Sequence, residues 1–331
     1  MAQPHAGLGS IERRPRRRAP LLLTLFLGTL AGACGERTPD PPVTTSGSGV
    51  TASAEGGESP TYEQAFVFAS LNEDSVFLVP WLMRTTVLPD TVRREAHGWL
   101  ERSGVWDAFY SATWATPPTR APSRILPYAG LRLLVHEGDV IDGIIYEEGA
   151  RRLEINLGDV RVSWGGPRGE AIELLDGAAY LSDERVEGLV LHMARASSGA
   201  APPGGDWALL AAGDSMVLVL EADREHGGED EPVYRGWASV GEEERVWTEI
   251  GVEWTATQAF PPARRDVPVS WRITTASRQL QGSLEIRSAD IQAGSGPGPL
   301  LPVRAVYDVT GQIAFEGGAY PVRGLLVHER R

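Results

Sequence analysis

The 331-residue chain carries the same pattern twice. Gly98-Trp99, Val105-Trp106 and Trp114 return in order as Gly236-Trp237, Val246-Trp247 and Trp254. Val186-x-Gly188-Leu189-Val190-Leu191-His192 returns as Val322-x-Gly324-Leu325-Leu326-Val327-His328. A period of roughly 137 residues is too long for a solenoid repeat and has the length of a whole domain. The chain therefore reads as two copies of one fold, over residues 62–195 and 207–331, joined by a Pro- and Gly-rich linker at 196–206 (ASSGAAPPGGD).

Within each copy the dominant period is two. Leu280, Gly282, Leu284 and Ile286 alternate with Gln281, Ser283, Glu285 and Arg287, and Val303, Ala305, Tyr307 and Val309 do the same. Such alternation marks strands with one buried side. By this rule Trp106, Ala108, Tyr110, Ala112 and Trp114 share a face, whereas Trp247 and Trp254 fall on opposite faces. Turn signals such as Arg102-Ser103-Gly104 and Glu148-Gly149 punctuate the runs. Each copy supplies eight or nine strands with short connections, which predicts two antiparallel barrels or barrel-like sandwiches, since closure removes exposed edges. Short helices are expected only at 64–70 and 92–101.

Residues 1–33 read as a secretion signal: Arg13, Arg14, Arg16, Arg17 and Arg18 precede an apolar run from Leu21 to Leu30, followed by Ala31-Gly32-Ala33-Cys34. This resembles a bacterial lipobox, although Leu is commoner where Ala31 stands. The apolar run falls short of the roughly 20 residues that span a bilayer. Cys34 is the sole cysteine, as lipidation at that thiol predicts, with none left for disulfides. Residues 34–61, rich in Pro, Ser, Thr and Gly, form a disordered tether. These features predict a lipoprotein of the bacterial cell envelope, held by acylated Cys34 at the outer membrane.

The whole chain has a net charge of −13; without residues 1–33, which hold five Arg and one Glu, 26 Arg face 43 acids, a net charge of −17. That balance disfavours nucleic acid and anionic headgroups as partners. All 31 basic residues are Arg, so Schiff-base and P-loop lysine chemistry is excluded. No cofactor and no metal is expected. His136-Glu137-Gly138-Asp139 and the acidic loop 225–231 read as turns rather than cation sites. Gly213-Asp214-Ser215 lacks the downstream Asp-x-x-His of the lipid esterases that share such a block. His192 and His328, at equivalent strand ends, could move a proton or be bonded at the strand end.

Ten tryptophans offer apolar area with one donor each, which suits a barrel core or the wall of a pocket. The candidate ligand-binding residues are Trp99, Trp106, Tyr110 and Trp114 in copy one and Trp237, Trp254, Trp271 and Tyr307 in copy two. Asp107 and Glu249, acids inside the Trp-rich strands, are the candidates for a catalytic acid.

Arg265-Asp266-Val267-Pro268-Val269-Ser270-Trp271-Arg272-Ile273, Leu280 to Ile286, Val306-Tyr307-x-x-x-Gly311 and Val322-x-Gly324 resemble the closing strands of bacterial lipocalin-like proteins related to carotenoid 1,2-hydratase. The resemblance covers about 70 residues and implies tandem lipocalin-like barrels and an extended apolar ligand, an isoprenoid or acyl chain. Three functions follow as expectations: an envelope lipoprotein binding such a molecule, an interaction module with filled barrels, or a cofactor-independent hydratase or isomerase acting on an isoprenoid double bond.

Overall fold

The computed structural model describes residues 59–71, 76–137, 140–166, 169–182, 184–198, 205–223 and 232–330. The signal, Cys34, nearly all of the tether, the 225–231 loop, most of the linker, Gly138 and Asp139 lie outside the described residues. Copy one contains β1 (Pro60–Leu71), β2 (Val76–Val87), β3 (Val92–Arg102), β4 (Val105–Thr116), β5 (Leu131–Val135), β6 (Ile141–Glu148), β7 (Arg151–Gly165), β8 (Ala171–Leu181) and β9 (Glu184–Ser198). Copy two contains β10 (Trp207–Ala212), β11 (Met216–Asp223), β12 (Val233–Val240), β13 (Glu243–Phe260), β14 (Arg265–Thr274), β15 (Leu280–Ala293), β16 (Val303–Phe315) and β17 (Gly318–Arg330).

The chain is all-β, built as two tandem barrel domains. Copy two is a closed eight-stranded antiparallel meander in which β17 returns to pair with β10. Copy one is a curled nine-stranded sheet ordered β4-β3-β2-β1-β9-β8-β7-β6-β5. All its neighbouring pairs are antiparallel, and the number of strands is odd. The two edges, β4 and β5, must therefore run in the same direction, so residues 117–130 have to travel back along the barrel between them. Side chains close this gap: Tyr110 Oη donates to Tyr128 O (2.8 Å), Tyr146 Oη to Phe109 O (3.1 Å), and Arg151 pairs with Asp107. Gln64 and Arg94 hold the returning segment at Ser123 O and Arg124 O.

The segments expected to be helical, 64–70 and 92–101, lie within β1 and β3. For β3 the reason is the buried Arg94, which interrupts the apolar face, and for β1 it is burial on both sides. Phe66 and Phe68 of β1 enter the interior of copy one, while Ala65, Val67 and Ala69 pack against copy two. A strand covered on both faces loses the alternation that identifies it.

A continuous apolar layer joins the copies, with Leu189 and Leu191 of β9 and Ala65 and Val67 of β1 meeting Trp207, Leu209, Leu325 and Val327 of copy two. Arginine pairs rim the layer. Arg195 bonds Glu63 at 2.6 Å within copy one and Glu221 at 2.9 Å in copy two, while Arg84 bonds Glu63 and reaches Glu329 at 2.8 Å. Arg304 also holds Glu329, and Arg235 links Glu170 to Asp223. The planar guanidinium, with its forked donors, suits such partly buried bridges better than an ammonium would. The cleft beside them, lined by Leu82, Met83, His97 and Trp207 among others, has a cavity volume of about 30 Å³, room for a water or two.

The repeated Val-x-Gly motif has a steric cause. A Cβ on Gly188 would lie 2.4 Å from Ala69 O, and one on Gly324 would lie 1.8 Å from Leu209 O. In each copy the last strand crosses the first at this point, and only glycine permits the approach.

Candidate functional site in the second barrel

The expected ligand-binding residues divide into three places. Trp99, Trp106 and Trp237 stand at the junction of the copies. Trp99 Nε1 donates to Asp290 Oδ2 at 2.7 Å and Trp106 Nε1 to Ser288 Oγ at 3.0 Å, so both indoles tie copy one to β15. Tyr110 and Trp114 face the interior of copy one, where Trp114 stacks on Tyr128 with centroids 4.9 Å apart. Trp254, Trp271 and Tyr307 meet inside the second barrel.

The face assignments of the Trp-rich strands need correction. Between the pairs Gly98–Tyr110 and Leu100–Asp107, β4 uses three steps against two on β3. This bulge separates Trp106 from Tyr110 and Trp114. Between Gly236–Trp247 and Tyr234–Ile250, β13 likewise carries one extra residue, and Trp247, Ile250, Val252 and Trp254 all turn toward the interior. One inserted residue reverses a two-residue alternation. The candidate acids are also placed outside the barrels: Asp107 is 46% exposed and paired with Arg151, and Glu249 is exposed at the β13 bulge.

Inside the second barrel, Trp254 of β13 lies directly opposite Trp271 of β14. Trp271 meets Tyr307 of β16 edge-on at 5.4 Å, and Trp254 meets the His328 ring of β17 in the same way at 5.4 Å. His328 faces Ala305 across the ladder, and Tyr307 is the next inward residue along β16, a diagonal neighbour of His328. The four rings form a circuit around the interior, and Ala305 adds only a methyl beside the imidazole.

A carboxylate orients the imidazole. Asp206 Oδ1 lies 2.8 Å from His328 Nδ1, and Tyr234 Oη donates to Asp206 Oδ2 at 3.0 Å. Asp206 precedes β10, and its carbonyl accepts from Ala222 N (2.8 Å), so the residue assigned to the linker belongs to the barrel. As a carboxylate it only accepts; this sets Nδ1 as the protonated nitrogen and leaves Nε2 with its lone pair when the ring is neutral. His328 Nε2, Tyr307 Oη and Trp271 Nε1 are buried without a hydrogen-bond partner. The residues themselves are at most 1% exposed. Burial, followed by the charge of Asp206, pushes the Tyr307 phenol well up, so at neutral pH it is a donor.

A cap lies at this end of the barrel. A 3₁₀ turn at Pro261–Ala263 joins β13 to β14, and residues 294–302 join β15 to β16. Leu301 N donates to Ala263 O at 3.0 Å and an Arg264 guanidinium nitrogen to Pro299 O at 3.2 Å. Ala263 is fully buried and Leu301 packs on the core.

Copy one keeps half of the arrangement. His192, two places before Ala194 as His328 is two before Arg330, lies 3.0 Å from Glu173 Oε2 through Nδ1, and its buried Nε2 also lacks a partner. It stacks on Phe66 at 4.4 Å. The residue corresponding to Tyr307 is Leu175, opposite Val190, so the phenol beside the histidine is missing. Sequence reading found both histidines but neither carboxylate. A signal was present in the Asp immediately before a strand that closes against the His-bearing one.

His136 and Asp142 pair at 3.1 Å on the surface. Neither a protein-family model nor a curated protein matches the chain. Among solved structures, a candidate AttH (NE1406) from Nitrosomonas europaea has a TM-score of 0.58 at 12% identity, over 82% of this chain and 92% of that one. Kievitone hydratase from Nectria haematococca gives 0.48 at 11% identity, over 86% and 92%. CghA gives 0.46 at 13%, over 82% and 88%. The first of these likenesses is one of fold, and it agrees with the eight-stranded antiparallel closure: the chain has a lipocalin-like barrel fold.

Proposed function

We propose that the protein binds a small, largely apolar molecule bearing at least one polar group, and that the second barrel holds it. One observation carries this reading: His328 Nε2, Tyr307 Oη and Trp271 Nε1 are buried beside a large apolar cluster without partners. A buried polar atom left unpaired costs about 1–3 kcal/mol. A ligand that supplies a donor to His328 and an acceptor to Tyr307 and Trp271 recovers that cost, and its apolar body meets the Trp254 and Trp271 rings. Isoprenoid alcohols have this form, and so do fatty acids bound with the carboxyl protonated. Entry is through the cap at 261–264 and 294–302.

Titration with retinol, farnesol and fatty acids, followed by tryptophan fluorescence, tests the reading. Saturable quenching is expected, weakened about threefold to tenfold in Tyr307→Phe, the range of one hydrogen bond. A panel that produces no quenching and no thermal stabilisation contradicts it. That result would favour a second reading, an interaction module with filled barrels, which the apolar side chains packed through the interior of the second barrel support.

Acylation of Cys34 holds the protein at the bilayer, the source of such molecules. Its support is the Ala31-Gly32-Ala33-Cys34 signal and the solitary thiol. Cys34→Ser is expected to move the protein from the membrane fraction to the soluble fraction.

A further inference from the structure

We infer that the second barrel moves protons as well as binding: His328 is a general base acting on an apolar molecule with an enolisable carbonyl. The inference rests on the binding reading above and adds chemistry to it. A base and an oxyanion donor are both present. His328 Nε2 is the base, buried and carrying the lone pair because Nδ1 faces Asp206 at 2.8 Å. Tyr234 holds the second oxygen of Asp206, fixing the carboxylate in place. Tyr307 Oη, the diagonal neighbour of His328, and Trp271 Nε1 are the donors. A histidine oriented by a carboxylate and a donor beside it are the elements that proton abstraction beside a carbonyl requires.

The step balances without a cofactor. His328 Nε2 takes a proton from the carbon next to the carbonyl. The C–H electron pair becomes a carbon–carbon π bond, and the carbonyl π pair moves to oxygen. That oxygen accepts hydrogen bonds from Tyr307 and Trp271. The imidazolium, stabilised by Asp206, returns the proton to the same carbon or, in a β,γ-unsaturated ketone, to the γ carbon, moving the double bond into conjugation. No atom is gained or lost. Asp206 acts through His328 and is a positioning residue.

Copy one marks the difference. His192 has its own carboxylate, Glu173, but Leu175 stands where copy two has Tyr307. Copy one keeps an unpartnered indole donor, Trp81 Nε1, but lacks a phenol beside its histidine, so the pairing of base and adjacent phenol belongs to the second barrel.

The test is hydrogen–deuterium exchange at the α carbons of 2-tetralone in D₂O, read by proton NMR, with binding of 2-tetralone measured separately by calorimetry on the same full-length protein. Exchange at least about a hundredfold above buffer is expected, the usual contribution of a general base. His328→Gln should abolish it while the fold, followed by near-ultraviolet circular dichroism, persists. His328→Ala should regain exchange on addition of free imidazole. Asp206→Asn should slow exchange about tenfold or more and alter its pH profile, which a purely structural role would leave unchanged in shape. His192→Gln should leave exchange as it is. Wild-type protein that binds 2-tetralone but exchanges it no faster than buffer overturns the inference and leaves the binding reading standing. Absence of binding to 2-tetralone overturns the inference too, and failure of the alcohol and fatty-acid panel as well overturns both.

Discussion

The indole of Trp99 in copy one donates to the carboxylate of Asp290 in copy two at 2.7 Å, joining residues 191 positions apart. Trp99 is 1% exposed, so the bond forms in a setting where losing it leaves a buried group unpaired. A hydrogen bond to a charged acceptor contributes about 1.5–3 kcal/mol. Trp99→Phe is expected to lower stability by about that amount plus lost packing, and Asp290→Ala by a similar amount. A double-mutant cycle in urea should show coupling of at least about 1 kcal/mol; additive effects would mean that the bond contributes nothing.

Arg195 lies between Glu63 of its own copy and Glu221 of the other, and burial by itself would push its pKa down, yet the two carboxylates hold the guanidinium above its ordinary value. Removing one member of a buried ionic group strands the others at a cost of about 3–5 kcal/mol. Arg195→Ala should therefore destabilise the protein by about that amount in chemical denaturation. Scanning calorimetry should also show one transition becoming two as the copies uncouple. A loss below about 1 kcal/mol with a single transition would place the coupling in the apolar layer instead.

Glu101, fully buried at the junction, has its carboxyl pushed up to about 7, first by burial and further by Asp308, while Gly104 N–H and Arg287 pull it down. Asp308 is raised as well, again chiefly by burial. A carboxyl whose folded pKa exceeds its unfolded value favours the folded state while protonated. Its contribution is complete below about pH 4.5 and is lost as pH rises through about 7. The change is on the order of 3 kcal/mol. Thermal melts across this window should show stability attributable to Glu101 falling with rising pH, and Glu101→Gln should flatten the slope and be the more stable above neutrality. Parallel profiles for the two proteins would contradict this assignment.

The sequence made the two-copy architecture legible because the features that duplicate are sterically demanded. Gly188 and Gly324 sit where the last strand meets the first, and no side chain fits there. The run from Leu280 to Ile286 alternates because one side of β15 faces the barrel interior. Three things were not legible. Strand β1 is covered on both faces and lacks periodicity, and in β3 the buried Arg94 breaks the apolar alternation. The bulges in β4 and β13 hide from a period-two reading and moved Trp106 and Trp247 to faces opposite those expected. Asp206 joins His328 across 122 residues, a pairing that only closure of the barrel creates.

Mass spectrometry under native conditions, on protein purified from its own host, tests the binding claim most directly. The account predicts a retained adduct of small-molecule mass, largely lost in the Tyr307→Phe and His328→Gln proteins and kept in Trp114→Phe, a change in the other barrel. A wild-type mass with nothing beyond the polypeptide and the acyl group of Cys34, or a non-covalent adduct that survives both changes in the second barrel, would contradict it.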